Sequence, residues 1–392
     1  MLLCCRCYLI TIYLKGVIIM ANTAINNKTV PPPELLNNSR KVRYDWLDVL
    51  RAVGIIFVIL GHQAGNGIYV YATFSTHLKL PLFFAVSGFL FSKKKVDNPK
   101  EFFKNKIFRL LLPYLYLAVI SQTLTMLPQF IKDSSLLFQY PLSLAEKLLH
   151  GDILWFLPSL FLTEILMFII LKITKKSDKA LVILSCISLV AGYFALTPEK
   201  CLPFRVNALL IIWPIFVFGY LFRDYINPLD RKIKLKTGLI TAGLFCMGLC
   251  LYRIVFGQWI IMNINDSIYD HYLINMFLIF DGTLASFLLV QFIPLPKFMK
   301  ALGRNTLFYY AFHNQACTFV MIVTGLITGM NIDKTYLKTN RFLWLAIVII
   351  AMLIMILPCF AVNKLAPFFV GKKMSETNAV WLRKAKKQKE NA

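Results

Sequence analysis

Residues 44–64 read YDWLDVLRAVGIIFVILGHQA. From Trp46 to Ala64 this is an apolar run close to the ~20 residues an α-helix needs to cross the hydrocarbon core of a bilayer. It nevertheless carries Asp48, Arg51 and His62. Reading it as a membrane span decides the fold class. The composition of the whole chain agrees. Of 392 residues, 58% are apolar and 16% charged, and the mean hydropathy is +0.64. That leaves too little polar side-chain material to cover a water-soluble globule. Disorder is excluded, because 33 Phe and long Leu/Ile runs collapse. The net charge of +24 suits a soluble nucleic-acid binder, but the hydropathy does not, so no nucleic-acid partner is expected. A polytopic membrane protein with basic loops on one side explains both.

Ten runs fit the span pattern: about 46–64, 69–92, 108–131, 153–173, 180–196, 207–222, 237–256, 272–293, 305–329 and 342–362. With the N-terminal segment placed in the cytoplasm and the sides alternating, the inner segments hold 31 Lys and Arg and the outer loops 8. The expectation is therefore an all-α integral membrane protein of about ten transmembrane helices, N-in and C-in. Three parts follow: a cytoplasmic N-terminal segment over 1–43, a membrane domain over 44–363, and a basic cytoplasmic tail over 364–392. Met1–Met20 is apolar but lacks a small-residue cleavage site. It reads as a leader, an extra span, or sequence upstream of a true start at Met20. The six cysteines beyond it form no CxxC or Cys/His pattern. They read as small hydrophobes, and no metal is expected.

Few ionisable residues fall inside the spans: Asp48, Arg51, His62, Glu164, Arg253, Asp281 and His313. Such groups are costly in a bilayer and face a cavity or one another. Arg253 and Asp281, in adjacent spans, are expected to pair. Glu164 reads as an interhelical hydrogen-bond partner or a functional group. Arg51 and His62 are eleven residues apart, about three helical turns, so they share one face roughly 16 Å apart along the axis. Asp48 lies one turn below Arg51 on the same side. Two readings stay open. Arg51 meets an anion at the inner mouth while His62 moves a proton deeper in, or Arg51 snorkels to lipid phosphate and His62 ends a helix.

Five segments in order carry a resemblance. These are Tyr44–Arg51 with Leu60-Gly61-His62; PLFFAVSGFLF over 81–91; Phe102-Phe103 through Arg109-Leu110 with Pro113-Tyr114; Leu154-Trp155-Phe156-Leu157; and Gly303-Arg304-Asn305-Thr306-Leu307 with His313. Over about 44–363 the chain resembles the membrane acyltransferase-3 family, and within it the fucose 4-O-acetylase-like branch. It departs from that branch at Lys79, where a His is usual while His77 stands two residues earlier, and at Thr306, where a Ser is usual. The resemblance implies an O-acyltransferase of the bacterial cytoplasmic membrane. Its donor would be acyl-CoA, by default acetyl-CoA, and its acceptor a hydroxyl of an envelope glycan or a lipid-linked sugar precursor. His62, Arg51 and Asp48 would be catalytic. Arg51, Arg109 and Lys106 would hold acyl-CoA. His77, Trp155, Glu164 and His313 would line the cavity or support it. The alternative class is a polytopic transporter or flippase for a glycan or lipid, which ten spans with intramembrane charges also suit.

Overall fold

The computed structural model describes residues 44–64, 69–194, 203–260 and 262–373. The expectations for 1–43 and for most of the tail, 374–392, lie outside the described residues. The described chain is helical, apart from one hairpin of two-residue strands, Met262–Asn263 with Ile268–Tyr269.

The helices are, in order, α1 (Asp45–Ala64), α2 (Tyr69–Phe89), α3 (Pro99–Lys106), α4 (Leu112–Lys132), α5 (Leu136–His150), α6 (Phe156–Ile173), α7 (Asp178–Phe194), α8 (Leu209–Tyr225), α9 (Arg231–Phe256), α10 (Tyr272–Leu289), α11 (Lys297–Arg304), α12 (Thr306–Thr328), α13 (Lys334–Thr339), α14 (Arg341–Ile354) and α15 (Ile356–Leu365). A π-helical turn, Ile107–Leu111, joins α3 to α4. Among the described residues seven helical segments are long and apolar enough to cross a membrane. They are Pro99–Lys132, Phe156–Ile173, Pro203–Tyr225, Arg231–Phe256, Tyr272–Phe292, Thr306–Thr328 and Arg341–Leu365. The three other expected spans coincide with α1, α2 and α7. Of these, α1 carries Asp45, Asp48 and Arg51, and α7 has 17 residues. The protein is an all-α integral membrane protein.

The helix ends follow local chemistry. The side chain of Asp230 caps α9 by accepting from Lys232 N at 2.7 Å, satisfying an orphan donor of the first turn. Pro81 sits inside α2, as membrane helices tolerate when neighbours re-satisfy the freed carbonyl. The inner layer is α1, α2, α8 and α10, whose side chains dominate the buried core. The outward faces of α7, α9, α12 and α15 expose Ile183, Leu239, Ile254, Leu326 and Leu357, as lipid contact requires. α5 is expected from no apolar run; at 15 residues it is too short to span.

Backbones come very close at two places. A Cβ on Gly88 of α2 would stand 1.8 Å from the Phe216 carbonyl oxygen of α8, and one on Gly219 of α8 would stand 1.9 Å from that of Ala85. Small residues at such crossings let membrane helices pack by direct van der Waals contact. This explains the Gly of the 81–91 segment: it seats α2 on α8. In the same way Gly303 of α11 lies against the Asp48 carbonyl of α1, at 1.7 Å for an added Cβ.

Candidate active site

The last turn of α1 brings His62 beside His313 of α12, with ring centroids 4.9 Å apart and planes at 53°. His62 is exposed and His313 buried. His313 Nδ1 donates to the Tyr310 carbonyl, 2.9 Å away. A carbonyl only accepts, so Nδ1 carries a proton. Nε2 of the same ring is buried and has no hydrogen-bond partner among the described residues. Next door, Gln63 Nε2 donates to Asn314 Oδ1 at 2.9 Å, fixing α1 to α12. Lys334 of α13 donates to the His62 carbonyl at 3.4 Å. The Lys79 ammonium lies beside Gly61, 3.3 Å from where a Cβ would stand.

An aromatic wall continues from the histidines. The Tyr310 ring is stacked near His313 at 6.4 Å, and its hydroxyl accepts from Phe156 N at 3.4 Å. Phe156 packs on Phe83 and Phe84, at 5.5 and 4.8 Å between centroids. The Trp-Phe-Leu segment thus opens α6 against α2 and α12. Trp155 is half-buried against the core at the start of α6.

The other end of α1, the basic end, is an ion-pair network. Asp48 is buried. It meets Arg51 Nη1 at 3.6 Å and Arg304 Nε of α11 at 3.0 Å. One turn earlier, Asp45 takes Lys300 at 2.8 Å. Asp48 therefore holds Arg51 but shares itself with Arg304. The motif GRNTL contained Arg304, and only the fold shows that its guanidinium returns to α1.

Glu164 of α6 and Lys106, the last residue of α3, form a largely buried ion pair. The π-turn that follows carries Arg109. Such turns add a residue to the helix and often mark functional positions. The turn is braced by Gly371, whose Cβ would stand 2.7 Å from the Arg109 carbonyl. Lys95, in the short 3-10 helix Lys93–Asp97, donates to the Leu90 carbonyl at 3.2 Å. Burial first, and then the neighbouring Lys106, push its pKa down to about 8.

One expectation is corrected, the Arg253–Asp281 pair. His77, expected to line or support the cavity, is fully buried and its Nε2 donates to Asn275 Oδ1 of α10 at 2.8 Å. Residues 77 and 79 stand about 200° apart around a helix, so Lys79, not His77, faces the histidine pair. Arg253 and Asp281 do not pair. Arg253 is exposed on the last turn of α9, with its guanidinium 5.9 Å from the Trp259 ring centroid. Asp281 is fully buried in α10, and neither oxygen has a hydrogen-bond partner among the described residues. It lies nine residues, roughly 13 Å, into its helix, far below the level at which α9 ends.

A family model described as an acyltransferase domain, acyltransferase 3, matches residues 44–364. The chain belongs to the acyltransferase-3 family. No curated protein and no solved structure matches it. In this membrane acyltransferase the five motif segments are spatially sorted. The first, fourth and fifth bring His62, Phe156, Tyr310 and His313 together at one end. The first and fifth also gather Arg51 and Arg304 on Asp48 at the basic end, and the third carries Arg109 on its π-turn. The second supplies Phe83 and the Gly88 crossing. One end thus offers a buried imidazole with an unpartnered Nε2 beside a second, exposed imidazole, and the other offers fixed cations.

Proposed function

We propose that this acyltransferase takes an acyl group, by default acetyl, from acyl-CoA at its basic end. It esterifies a hydroxyl of an envelope glycan or of its lipid-linked precursor at the histidine end. The basic end faces the cytoplasm, in keeping with the charge asymmetry of the loops. Arg51, fixed by Asp48, and Arg109, on the π-turn, meet the anionic donor. Arg is suited to this because its fork matches phosphate geometry. His62 takes the proton from the acceptor hydroxyl. The freed oxygen attacks the thioester carbonyl carbon, the C–S bond breaks, and the CoA thiolate leaves with that proton. His313, its Nδ1 proton held by the Tyr310 carbonyl, stands next to His62 and orients that ring. The Lys79 ammonium places positive charge where the tetrahedral intermediate carries its oxyanion.

The observation that carries this reading is the His62–His313 pair, 4.9 Å between centroids, at the far end of the helix face that begins with Arg51. Mass spectrometry of envelope glycans, with and without the protein, tests it. Loss of a base-labile acyl group from an otherwise normal polymer is the expected result. Acylated polymer retained inside the cell would instead mark a transporter.

A further inference from the structure

Beyond Arg51 and Arg109, the basic end holds a shallow cavity, open to solvent, of about 370 Å³ lined by Val96, Asp97, Leu171, Lys172, Lys175 and Lys176. It lies between the short helix Lys93–Asp97 and the turn that ends α6. We infer that this cavity receives the phosphorylated nucleotide half of coenzyme A, with Lys172 and Lys175 on its 3′-phosphate. The inference rests on the acyl-CoA reading above.

Three features support it. First, the turn holds two lysines in a strained backbone conformation. Lys175 and Lys176 have φ of 50° and 64°, a left-handed conformation that non-glycine residues rarely adopt. Lys176 N closes the helix onto the Leu171 carbonyl at 2.7 Å. That helix-ending geometry normally takes glycine, so glycine would serve if stopping the helix were the only requirement. Second, the charges are differentiated. Lys176 is tied to Asp97 at 2.6 Å across the cavity, which fixes the two walls. Lys172 and Lys175 are exposed and appear in no salt bridge among the described residues. Third, α6 spans the distance between the two ends. Phe156 stands at the level of the histidine pair and Lys172 sixteen residues later, roughly 24 Å along the axis. That is a length comparable to an extended coenzyme A. Lys106 and Glu164 lie midway, with Lys95 close enough to feel both. A donor seated on the lysines can therefore run its pantetheine arm along α6 toward His62.

The test uses the full chain in nanodiscs of zwitterionic lipid, titrated calorimetrically with coenzyme A and with dephospho-coenzyme A, which lacks the 3′-phosphate. The wild type should bind coenzyme A about tenfold or more tightly than the dephospho form. The Lys172→Ala/Lys175→Ala variant should lose about that factor for coenzyme A and none for the dephospho form, so that the two bind alike. Unchanged discrimination in the variant, equal loss for both ligands, or no discrimination in the wild type overturns the subsite. Absence of binding by either ligand to the wild type overturns the donor reading, and the subsite with it.

Discussion

Replacing Gly303 by Ala should uncouple the basic end of α1 from α11. The new Cβ would stand 1.7 Å from the Asp48 carbonyl oxygen, 2.5 Å from its carbon and 3.0 Å from its Cα. All three are backbone atoms, so no rotamer change relieves the clash. The gap must open to about 3.4 Å, where ordinary contact begins, and a shift of that size carries Arg304 Nε away from Asp48 Oδ2, now 3.0 Å distant. Overpacking of this kind costs about 1–3 kcal/mol, and loss of a charge-assisted contact to a buried carboxylate adds about 1.5–3 kcal/mol. Gly243→Ala is the matched control. Nothing lies within 4 Å of its added Cβ, and Ala is the better helix former by up to ~1 kcal/mol. Thermal unfolding in detergent and acyl transfer at equal protein level are the two readouts. Gly303→Ala should lower the unfolding midpoint and the donor affinity together, while Gly243→Ala keeps both at or above wild type. A Gly303→Ala protein with the wild-type midpoint and wild-type donor affinity would refute the claim that this close approach positions Arg51.

Three further outcomes are expected. Lys95 loses its proton near pH 8 in the folded protein against an ordinary 10.5. The unfolded chain thus holds more protons between those values, and stability should rise across that range; Lys95→Met should flatten the rise in thermal melts taken at stepped pH. Glu164→Gln should leave the Lys106 ammonium uncompensated and cost about 3–5 kcal/mol, with most of that stability returning in the Glu164→Gln/Lys106→Met double variant. His77→Ala should cost about 1–3 kcal/mol by removing its buried hydrogen bond to Asn275 Oδ1 yet leave the transfer rate per folded molecule unchanged; a specific loss of rate would bring His77 into the reaction site.

What the sequence made legible follows from what is local. Apolar runs and loop charge gave the fold class, because hydrocarbon thickness and helix rise fix span length. Helical periodicity placed Asp48, Arg51 and His62 on one face of α1. It also contained the answer about His77 and Lys79, since two residues apart means opposite sides of a helix. What was not legible depends on long-range packing. His62 meets His313 only because α1 lies on α12, and the neighbouring Gln63–Asn314 bond joins residues 251 positions apart. Arg304 reaching Asp48, the π-turn under Arg109 and the Lys106–Glu164 pair are likewise set by helices coming together. Arg253 and Asp281 show the same boundary from the other side. Adjacent spans suggested a pair, but the depth of each residue along its helix decided against it.

The most direct measurement of the central claim is the rate of acyl transfer from labelled acetyl-CoA to an envelope fraction. It should use membranes holding equal amounts of wild-type and His62→Ala protein. If His62 is the base, the variant should fall by about 10²–10⁴-fold while still inserting and accumulating normally. A His62→Ala protein that transfers acyl groups at the wild-type rate would contradict it.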